Sequence, residues 1–286
     1  MNVLQLLANG LMAGGILAIP AIGLSAMYAV LRFPNFAVAS HATVGAFAGW
    51  VANVMLGLPV IPSLIAALLV GGTIGLLTDE FVLNRLRRAG VITTAIGSLA
   101  LTIGLENVVR LFFGSDLRGY DLPLERDVRL LGLNFGPQQL RNVLVALIVM
   151  ALVFAFLTFT RMGKAMRAVA DNPQLADIKG IDAVKVGRLV SFLGMGLAGL
   201  GGMLIGLDSS IDPLTGARTM LPVFAAAVVG GLGSIPGAVA GALVVGMAEE
   251  LSLLALPASY KSSIAFLAII AILTLRPQGI LGREGR

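Results

Sequence analysis

The chain has 286 residues, of which 57% are hydrophobic and 12% are charged, and its net charge is +5. Because an average soluble domain has about 25% charged residues, this composition excludes an ordinary soluble protein and, with its long uncharged runs, indicates an all-α polytopic membrane protein. The absence of cysteine excludes disulfides and thiolate metal sites. The basic residues are distributed along the chain as membrane orientation requires, so we expect no nucleic-acid partner.

The first two apolar runs are separated by a predicted helix break at residues 32–39. The first run covers residues 4–31 and the second covers residues 37–58. Pro34 disfavours a helical conformation at Phe33, which predicts an interruption between the two runs. A third run at residues 60–78 ends in charged residues, and a fourth begins at Gly90.

The longest polar segment follows, at residues 114–141, and its charges nearly cancel before Arg141. We expect this segment to be a periplasmic loop. Two uncharged runs come next, at residues 142–160 and 189–207. Each is long enough to cross a hydrocarbon core of about 30 Å as a helix.

Between these two runs lies a basic island, residues 161–188, with six basic and three acidic residues. It cannot lie in lipid, because each charge at the bilayer centre costs about 3 kcal/mol or more, and its excess of basic residues predicts a cytoplasmic position. The sequence Asp171-Asn172-Pro173 predicts that one short helix ends and another begins, and Gly180 ends the second. Two interpretations are open: an ordinary basic loop, or a pair of surface helices that dock onto a cytoplasmic partner.

The last part of the chain contains a second predicted break. The uncharged run at residues 219–248 is too long for one untilted span, and a glycine-rich stretch at 230–237 interrupts it. A final span is predicted at 260–275, followed by a basic tail. The sequence thus predicts about eight to nine transmembrane helices, with broken helices near residues 32–39 and 230–237. Each break is either a tight turn or a discontinuous helix whose free N–H and C=O groups line a substrate cavity.

Positive-inside counting predicts the orientation of the chain. With the basic island in the cytoplasm and nine crossings, the N-terminus lies outside. If one broken run is re-entrant, the number of crossings falls to eight or the N-terminus changes side. The cytoplasmic set then holds the six basic residues of the island together with Arg32, Arg85, Arg87, Arg88, Arg276, Arg283 and Arg286.

No motif for nucleotide binding or catalysis is visible. The pattern GxxxxGK[ST] is absent, because Gly163-Lys164 is followed by Ala165 and lacks the earlier glycine. His41 is the only histidine, and a lone intramembrane histidine is more often a packed residue than a functional one. We therefore predict no metal site and no catalytic residues, which disfavours a membrane-embedded enzyme.

Several stretches carry a resemblance to a known family. They are Tyr28-Ala29-Val30-Leu31-Arg32 with Asn35-Phe36-Ala37, Thr93-Thr94 with Glu106-Asn107, residues 163–181, VGGLGSIPGAVAG at 229–241, and LRPQG at 275–279. Through them the chain resembles, over nearly its whole length, the permease subunits of branched-chain amino-acid ABC importers.

The resemblance implies a single transmembrane permease domain, residues 1–286, in the bacterial inner membrane, with residues 161–188 as its coupling-helix segment. It implies three kinds of partner: a second permease subunit (a paralogue or a second copy), two cytoplasmic ABC ATPases and a periplasmic substrate-binding protein. The chain itself would bind no cofactor and would not be an enzyme, since ATP and Mg would bind to the ATPases.

The cargo that the resemblance implies is a branched-chain or other small hydrophobic amino acid. Two alternatives are kept: an ABC permease for urea, amides or small organic acids, and an ion-coupled secondary transporter. The second alternative would need intramembrane carboxylates, and its candidates, Glu106 and Asp208, lie near the ends of predicted spans.

The breaks and the resemblance together predict two sets of site residues. The predicted substrate path contains Asn35, Phe36, Val38, His41, Ser98, Thr102, Gly231, Gly233 and Ser234. The predicted ATPase-coupling set contains Gly163, Lys164, Arg167, Ala168, Asp171, Asn172, Pro173 and Gly180. The family usually has His-Gly directly after Asn-Phe-Ala, whereas this chain has Val38-Ala39 there, which leaves its ligand open.

Overall fold

The computed structural model of the chain describes residues 3–123, 126–130, 132–257, 260–276 and 278–282. Pro277 of the C-terminal stretch and Arg283 and Arg286 of the predicted basic tail lie outside these residues. The described residues contain twelve α-helices. These are α1 (Val3–Leu31), α2 (Val38–Trp50), α3 (Val60–Thr78), α4 (Asn84–Leu86), α5 (Val91–Phe113), α6 (Pro137–Phe159), α7 (Arg161–Asp171), α8 (Pro173–Ile178), α9 (Ala183–Asp208), α10 (Thr215–Gly230), α11 (Ile235–Ser252) and α12 (Lys261–Leu275).

Some of these helices continue in other helical forms. α2 is extended by the π-helix Val51–Met55, and α3 is extended by the π-helix Asp79–Leu83, which leads through α4 to a 3₁₀ turn. The polar segment between α5 and α6 contains two short antiparallel strands, β1 (Val128–Leu130) and β2 (Leu133–Phe135). α6 already begins at Pro137, so the last residues of the predicted loop are helical.

The lengths and composition of the helices confirm the prediction of an all-α polytopic membrane protein. Among the described residues, six helical stretches are long and apolar enough to cross a membrane. Two further apolar helices among them, α10 and α12, are shorter, and α2 has 13 residues. Both predicted breaks are present, because residues 32–37 separate α1 from α2 and residues 231–234 separate α10 from α11.

Two helices occupy the centre of the bundle. In α1 and in α9, 78% of the residues in the most apolar window are buried, against 22% in α5 and 17% in α6. α1 packs against α9 and α11, and α9 also packs against α2 and α3. The central helices therefore connect the two halves of the chain, while α5 and α6 lie at the periphery.

Glycine allows α2 and α9 to approach each other closely. A Cβ atom on Gly45 would overlap the backbone of Gly199, and one on Gly199 would lie 3.2 Å from the Cα of Gly45. Close backbone contact through small residues is a common means of helix association where no hydrophobic effect acts between helices. It fixes α2, and with it the first break, against the centre of the bundle.

The segment after α5 covers the far end of α2. The Tyr120 hydroxyl donates to the carbonyl of Ala46 (2.8 Å), and the Trp50 indole N–H donates to the carbonyl of Gly119 (2.9 Å). The guanidinium of Arg118 lies 4.5 Å from the centre of the Trp50 ring. Burial also raises the pKa of Tyr120 well above its usual range. These contacts close the bundle at the end opposite the basic island.

Candidate functional site

The first break starts with an unusual backbone conformation at Arg32. Its φ angle is 60°, in the left-handed region, and its N–H donates to the carbonyl of Tyr28 (3.0 Å), which ends α1. The Arg32 guanidinium donates to the carbonyl of Ala170 in the last turn of α7. The end of α1 is thereby attached directly to the basic island.

The backbone of the first break is held by hydroxyl groups of α5. The N–H of Phe36 donates to Ser98 Oγ (3.0 Å), and Thr102 Oγ1 donates to the carbonyl of Phe36 (3.2 Å). Backbone polar groups outside a helix need such partners at membrane depth, because no water is present in the hydrocarbon core. The structure thus brings Ser98 and Thr102 together with Phe36.

Asn35 is buried beside them, with 1% of its surface exposed. Its Oδ1 accepts a hydrogen bond from the N–H of Ala37 (3.1 Å). Its Nδ2 is buried and has no hydrogen-bond partner among the described residues. An unpaired buried donor is costly, so Asn35 retains a hydrogen-bonding capacity that this part of the chain does not use.

An aromatic pair forms the open side of the first break. The ring of Phe36 stacks on the ring of Phe224 in α10, with 4.6 Å between their centres and 15° between their planes. Both side chains are half-buried. Val38, which begins α2, is buried and lines a small apolar cavity behind this pair. The rings of Phe36 and Phe224 therefore form the part of this region that is exposed at the surface of the chain.

His41 is a packed residue with partners for both ring nitrogens. It is fully buried, its Nδ1 lies 2.7 Å from the carbonyl of Ala37, and its Nε2 lies 3.2 Å from Thr78 Oγ1. These contacts join the first turn of α2 to the end of α3. This environment fits the interpretation of His41 as a hydrogen-bonded core residue.

The second break, which we call the glycine turn (residues 231–234), lies at the other end of α10. Gly231 and Gly233 have φ angles of 107° and 88°, which glycine adopts without strain. Ser234 caps α11, since its Oγ accepts from the N–H of Gly237 (3.2 Å). Gly231 is seven residues beyond Phe224, or about 10 Å along a helix. The structure does not bring these three predicted path residues into the cluster around Phe36.

The basic island contains the two predicted short helices, α7 and α8. Thr160 caps α7 by accepting from the N–H of Gly163 (3.0 Å), and Asn172 caps α8 by accepting from the N–H of Leu175 (3.0 Å). Pro173 is the first residue of α8, and Gly180 follows its end with a φ angle of 79°. The helix stop and restart predicted from Asp171-Asn172-Pro173 is therefore present.

The two faces of α7 have different environments. Gly163, Met166 and Val169 are buried, and Ala168 is half-buried. Lys164, Arg167 and Asp171 are exposed, and their spacing puts them on one face of the helix. Asp182 caps α9 by accepting hydrogen bonds from the N–H groups of Lys185 and Val184. These hydrogen bonds hold the pKa of the Asp182 carboxyl below its usual value. α7 thus presents a charged surface while its apolar face is fixed to the bundle.

A cavity of about 320 Å³ lies between the basic island and the glycine turn. Arg167 and Asp171 of α7 line one side of it, Gly233 and Ser234 line another, and Ala29 of α1 contributes to the rest. Two of the predicted path residues are therefore neighbours of two of the predicted coupling residues. A displacement of α7 would reach both the glycine turn and the end of α1.

Two features of this region were not among the predicted residues. Phe224 was not singled out, because an isolated phenylalanine within an apolar run has no distinguishing pattern. Arg218 was not singled out either, yet it lies inside α10, paired with Asp212. The sequence Asp212-Pro213 was the available signal, since an acidic residue before proline often precedes a helix.

Comparisons with known proteins cover almost the whole chain. Residues 6–273 match the family described as branched-chain amino acid transport system / permease component. The chain is 31% identical to the high-affinity branched-chain amino acid transport system permease protein LivH of Salmonella typhimurium, over 98% of this chain and 96% of that protein. It is 30% identical to the corresponding protein BraD of Pseudomonas aeruginosa, over 99% and 96%. A probable LivH of Methanocaldococcus jannaschii is 30% identical over 97% and 92%.

Proposed function

This chain belongs to the branched-chain amino acid transport system permease family, and we propose that it is the membrane subunit of an ABC importer that carries branched-chain amino acids across the inner membrane. The observation that carries this proposal is the end-to-end match to permease proteins whose names state that cargo. The two helix breaks support it, because breaks supply backbone groups and room for a path where continuous helices would not.

We propose that the energy for transport comes from two partner ATPases that dock on the basic island. The sequence has no nucleotide-binding motif of its own, so ATP and Mg would bind to those partners. The exposed charged face of α7, formed by Lys164, Arg167 and Asp171, is suited to a polar protein interface at which the partner can grip the chain.

We further propose how a movement of α7 reaches the path. Arg32 attaches α7 to the first break, and the cavity beside Arg167 separates α7 from the glycine turn. A rigid-body tilt of α7 would therefore pull on residues 32–37 and press on residues 231–234 together. Rigid-body movement of packed helices between two discrete arrangements is a common form of switching.

The complete importer would contain a second permease subunit and a periplasmic substrate-binding protein. α5 supports the former: it packs mainly on α2, and most of its surface, including Ile92, Ile96 and Ile103, is exposed in the single chain. A second subunit beside α5 and α10 would enclose a path that this chain alone leaves open.

Uptake by the reconstituted complex tests the proposed function. The permease pair, the ATPases and the binding protein would be placed in proteoliposomes, and ATP-dependent uptake of leucine, isoleucine and valine would be measured. The control is the same complex with ATPases that bind ATP but do not hydrolyse it. Because Val38-Ala39 replaces the usual His-Gly of the family, urea, acetamide and small organic acids belong in the panel. Uptake of those compounds without uptake of the three amino acids would contradict the proposed cargo.

A further inference from the structure

The first turn of α10 packs against the middle of α2. The N–H of Gly216 donates to Thr43 Oγ1 (2.9 Å) in α2. Thr43 is about 18 Å from Met55, where the π-helical extension of α2 ends, because a helix rises about 1.5 Å per residue. Gly230, the other end of α10, is about 21 Å from Gly216 by the same rise. Tyr120 of the polar segment after α5 bonds to Ala46, one turn beyond Thr43 in α2, so the start of α10 lies just inside the part of the bundle that this segment covers.

Arg218 occupies this first turn, and its side chain is 61% exposed. Among the described residues its partner is Asp212, whose carboxylate accepts a hydrogen bond from one of the guanidinium nitrogens. A charge that faces hydrocarbon is unfavourable. The face of α10 that carries Arg218 therefore meets water, a polar ligand or another protein chain rather than lipid.

The rest of this face is apolar. Leu214 and Leu221 are 40% and 38% exposed, and their spacing from Arg218 puts all three on one face of the helix. One turn further, Phe224 stacks on Phe36 of the first break. Along α10, the cationic side chain of Arg218 is thus followed by Leu221 and then by the stacked rings of Phe224 and Phe36.

We propose that Arg218 binds the carboxylate of the transported amino acid, while Leu221 and the Phe36–Phe224 pair contact the apolar side chain of that amino acid. This inference rests on the proposed function, and it names the residue by which the path recognises its cargo. A guanidinium has five N–H donors in a planar fork that matches a carboxylate in two parallel hydrogen bonds, and Asp212 occupies only part of it. The positive end of the α10 dipole adds to this attraction.

Asp212 acts as a positioning residue for Arg218. It is buried, with 7% of its surface exposed, and its Oδ1 accepts from the N–H of Leu214 and from Thr215 Oγ1, each at 3.1 Å. These bonds fix the carboxylate, and the carboxylate in turn holds the guanidinium toward the open face of α10. A preorganised guanidinium loses less side-chain freedom on binding a ligand.

The absence of cysteine from the chain allows a direct test, because one introduced thiol is the only thiol of this subunit. In the complete complex, Leu221→Cys would be treated with a charged, water-soluble thiosulfonate, and the label on this subunit would be detected by mass. The matched control is Leu152→Cys, which is 63% exposed in the peripheral apolar helix α6. We expect labelling of Leu221→Cys to be at least tenfold faster than labelling of Leu152→Cys.

Protection by ligands then tests the carboxylate contact without altering Arg218. Leucine at millimolar concentration should slow the labelling of Leu221→Cys at least threefold, whereas leucinamide, which has the same side chain and no carboxylate, should not. Equal protection by the two compounds would overturn the assignment of Arg218. Equal labelling of the two cysteine variants would overturn the water-facing position of this surface.

Uptake by Arg218 variants completes the test. Arg218→Gln should reduce leucine uptake at least tenfold while the complex stays assembled, and Arg218→Lys should be intermediate, because it keeps the charge and lacks the fork. Arg85→Gln, at an exposed arginine of α4 outside the proposed path and interfaces, is the control and should stay within twofold of the wild type. Wild-type uptake by Arg218→Gln, or loss of the permease pair in that variant, would contradict carboxylate binding. Failure of the wild-type complex to carry leucine would instead contradict the proposed function.

Discussion

The guanidinium of Arg32 donates a hydrogen bond to the main-chain carbonyl of Ala170, which joins the end of α1 to the last turn of α7. The two residues are far apart in the sequence and belong to different parts of the predicted machinery. One borders the first helix break, and the other lies in the basic island. This contact is a route by which a force applied to α7 can reach the residues that surround Phe36.

Arg32→Gly should weaken the link between ATP hydrolysis and transport. Glycine keeps the left-handed backbone conformation at this position, so the variant removes the guanidinium without adding strain. We expect the complex to keep most of its ATPase activity while uptake per ATP falls several-fold, measured in proteoliposomes. Arg85→Gly, at another exposed arginine on the same side, is the control. An unchanged ratio of amino acid taken up to ATP hydrolysed in Arg32→Gly would show that the contact transmits no force.

Arg167→Glu should weaken docking of the ATPases. The substitution reverses a charge on the exposed face of α7 and leaves the buried face, which contains Met166 and Val169, untouched. We expect at least a fivefold decrease in co-purified ATPase, because like charges at an interface rim are repelled. Arg110→Glu, at the far end of α5, should have no such effect. Full recovery of the ATPase with Arg167→Glu would place the docking surface elsewhere.

Thr102→Val should destabilise the first break. The variant removes the hydroxyl that donates to the carbonyl of Phe36, which then keeps only the N–H of Ala39 as a donor, and the loss of one hydrogen bond costs about 0.5–1.5 kcal/mol. We expect a lower midpoint of thermal unfolding in detergent and reduced uptake. Thr93→Val on the same helix is the matched control, because Thr93 is exposed and its hydroxyl donates to the carbonyl of Ala89 in the adjoining 3₁₀ turn. Equal midpoints for the two variants would contradict a structural role for Thr102.

Gly45→Ala should destabilise the contact between α2 and α9. The added methyl group would overlap the backbone of Gly199, and overpacking of this kind costs about 1–3 kcal/mol. Gly104→Ala in α5 is the control, since no atom outside its own helix lies within 4 Å of the new Cβ and alanine favours a helix by up to about 1 kcal/mol. Thermal unfolding of the two variants should shift in opposite directions. A stable Gly45→Ala protein would show that the helices can move apart at little cost.

The sequence was informative wherever a local rule applies. Pro34 indicated the first break, Pro173 the start of α8, and Gly180 the end of that helix, because proline and glycine restrict or relax the backbone whatever surrounds them. The length and composition of the apolar runs indicated the membrane helices for the same reason. These features depend on a few adjacent residues, so one sequence is enough to predict them.

The contacts between distant segments could not be predicted in this way. The stacking of Phe36 on Phe224 depends on how α10 lies against the first break, and the position of Arg218 depends on the contact between Gly216 and Thr43. Neither relationship has a periodic pattern or a short motif. The same holds for Tyr120, whose bond to Ala46 spans two separate parts of the chain. Packing between helices decides such contacts.

The last described residues have a consequence for biosynthesis. The N–H groups of Ile280 and Leu281 donate to the carbonyls of Val229 and Gly230 at the end of α10, at 2.8 and 2.9 Å. A helix end leaves such carbonyls without intrahelical partners. While the ribosome is still translating α11 and α12, the carbonyls of Val229 and Gly230 therefore lack these two hydrogen bonds, because Ile280 and Leu281 have not yet been made. A chain released early would keep this helix end uncapped.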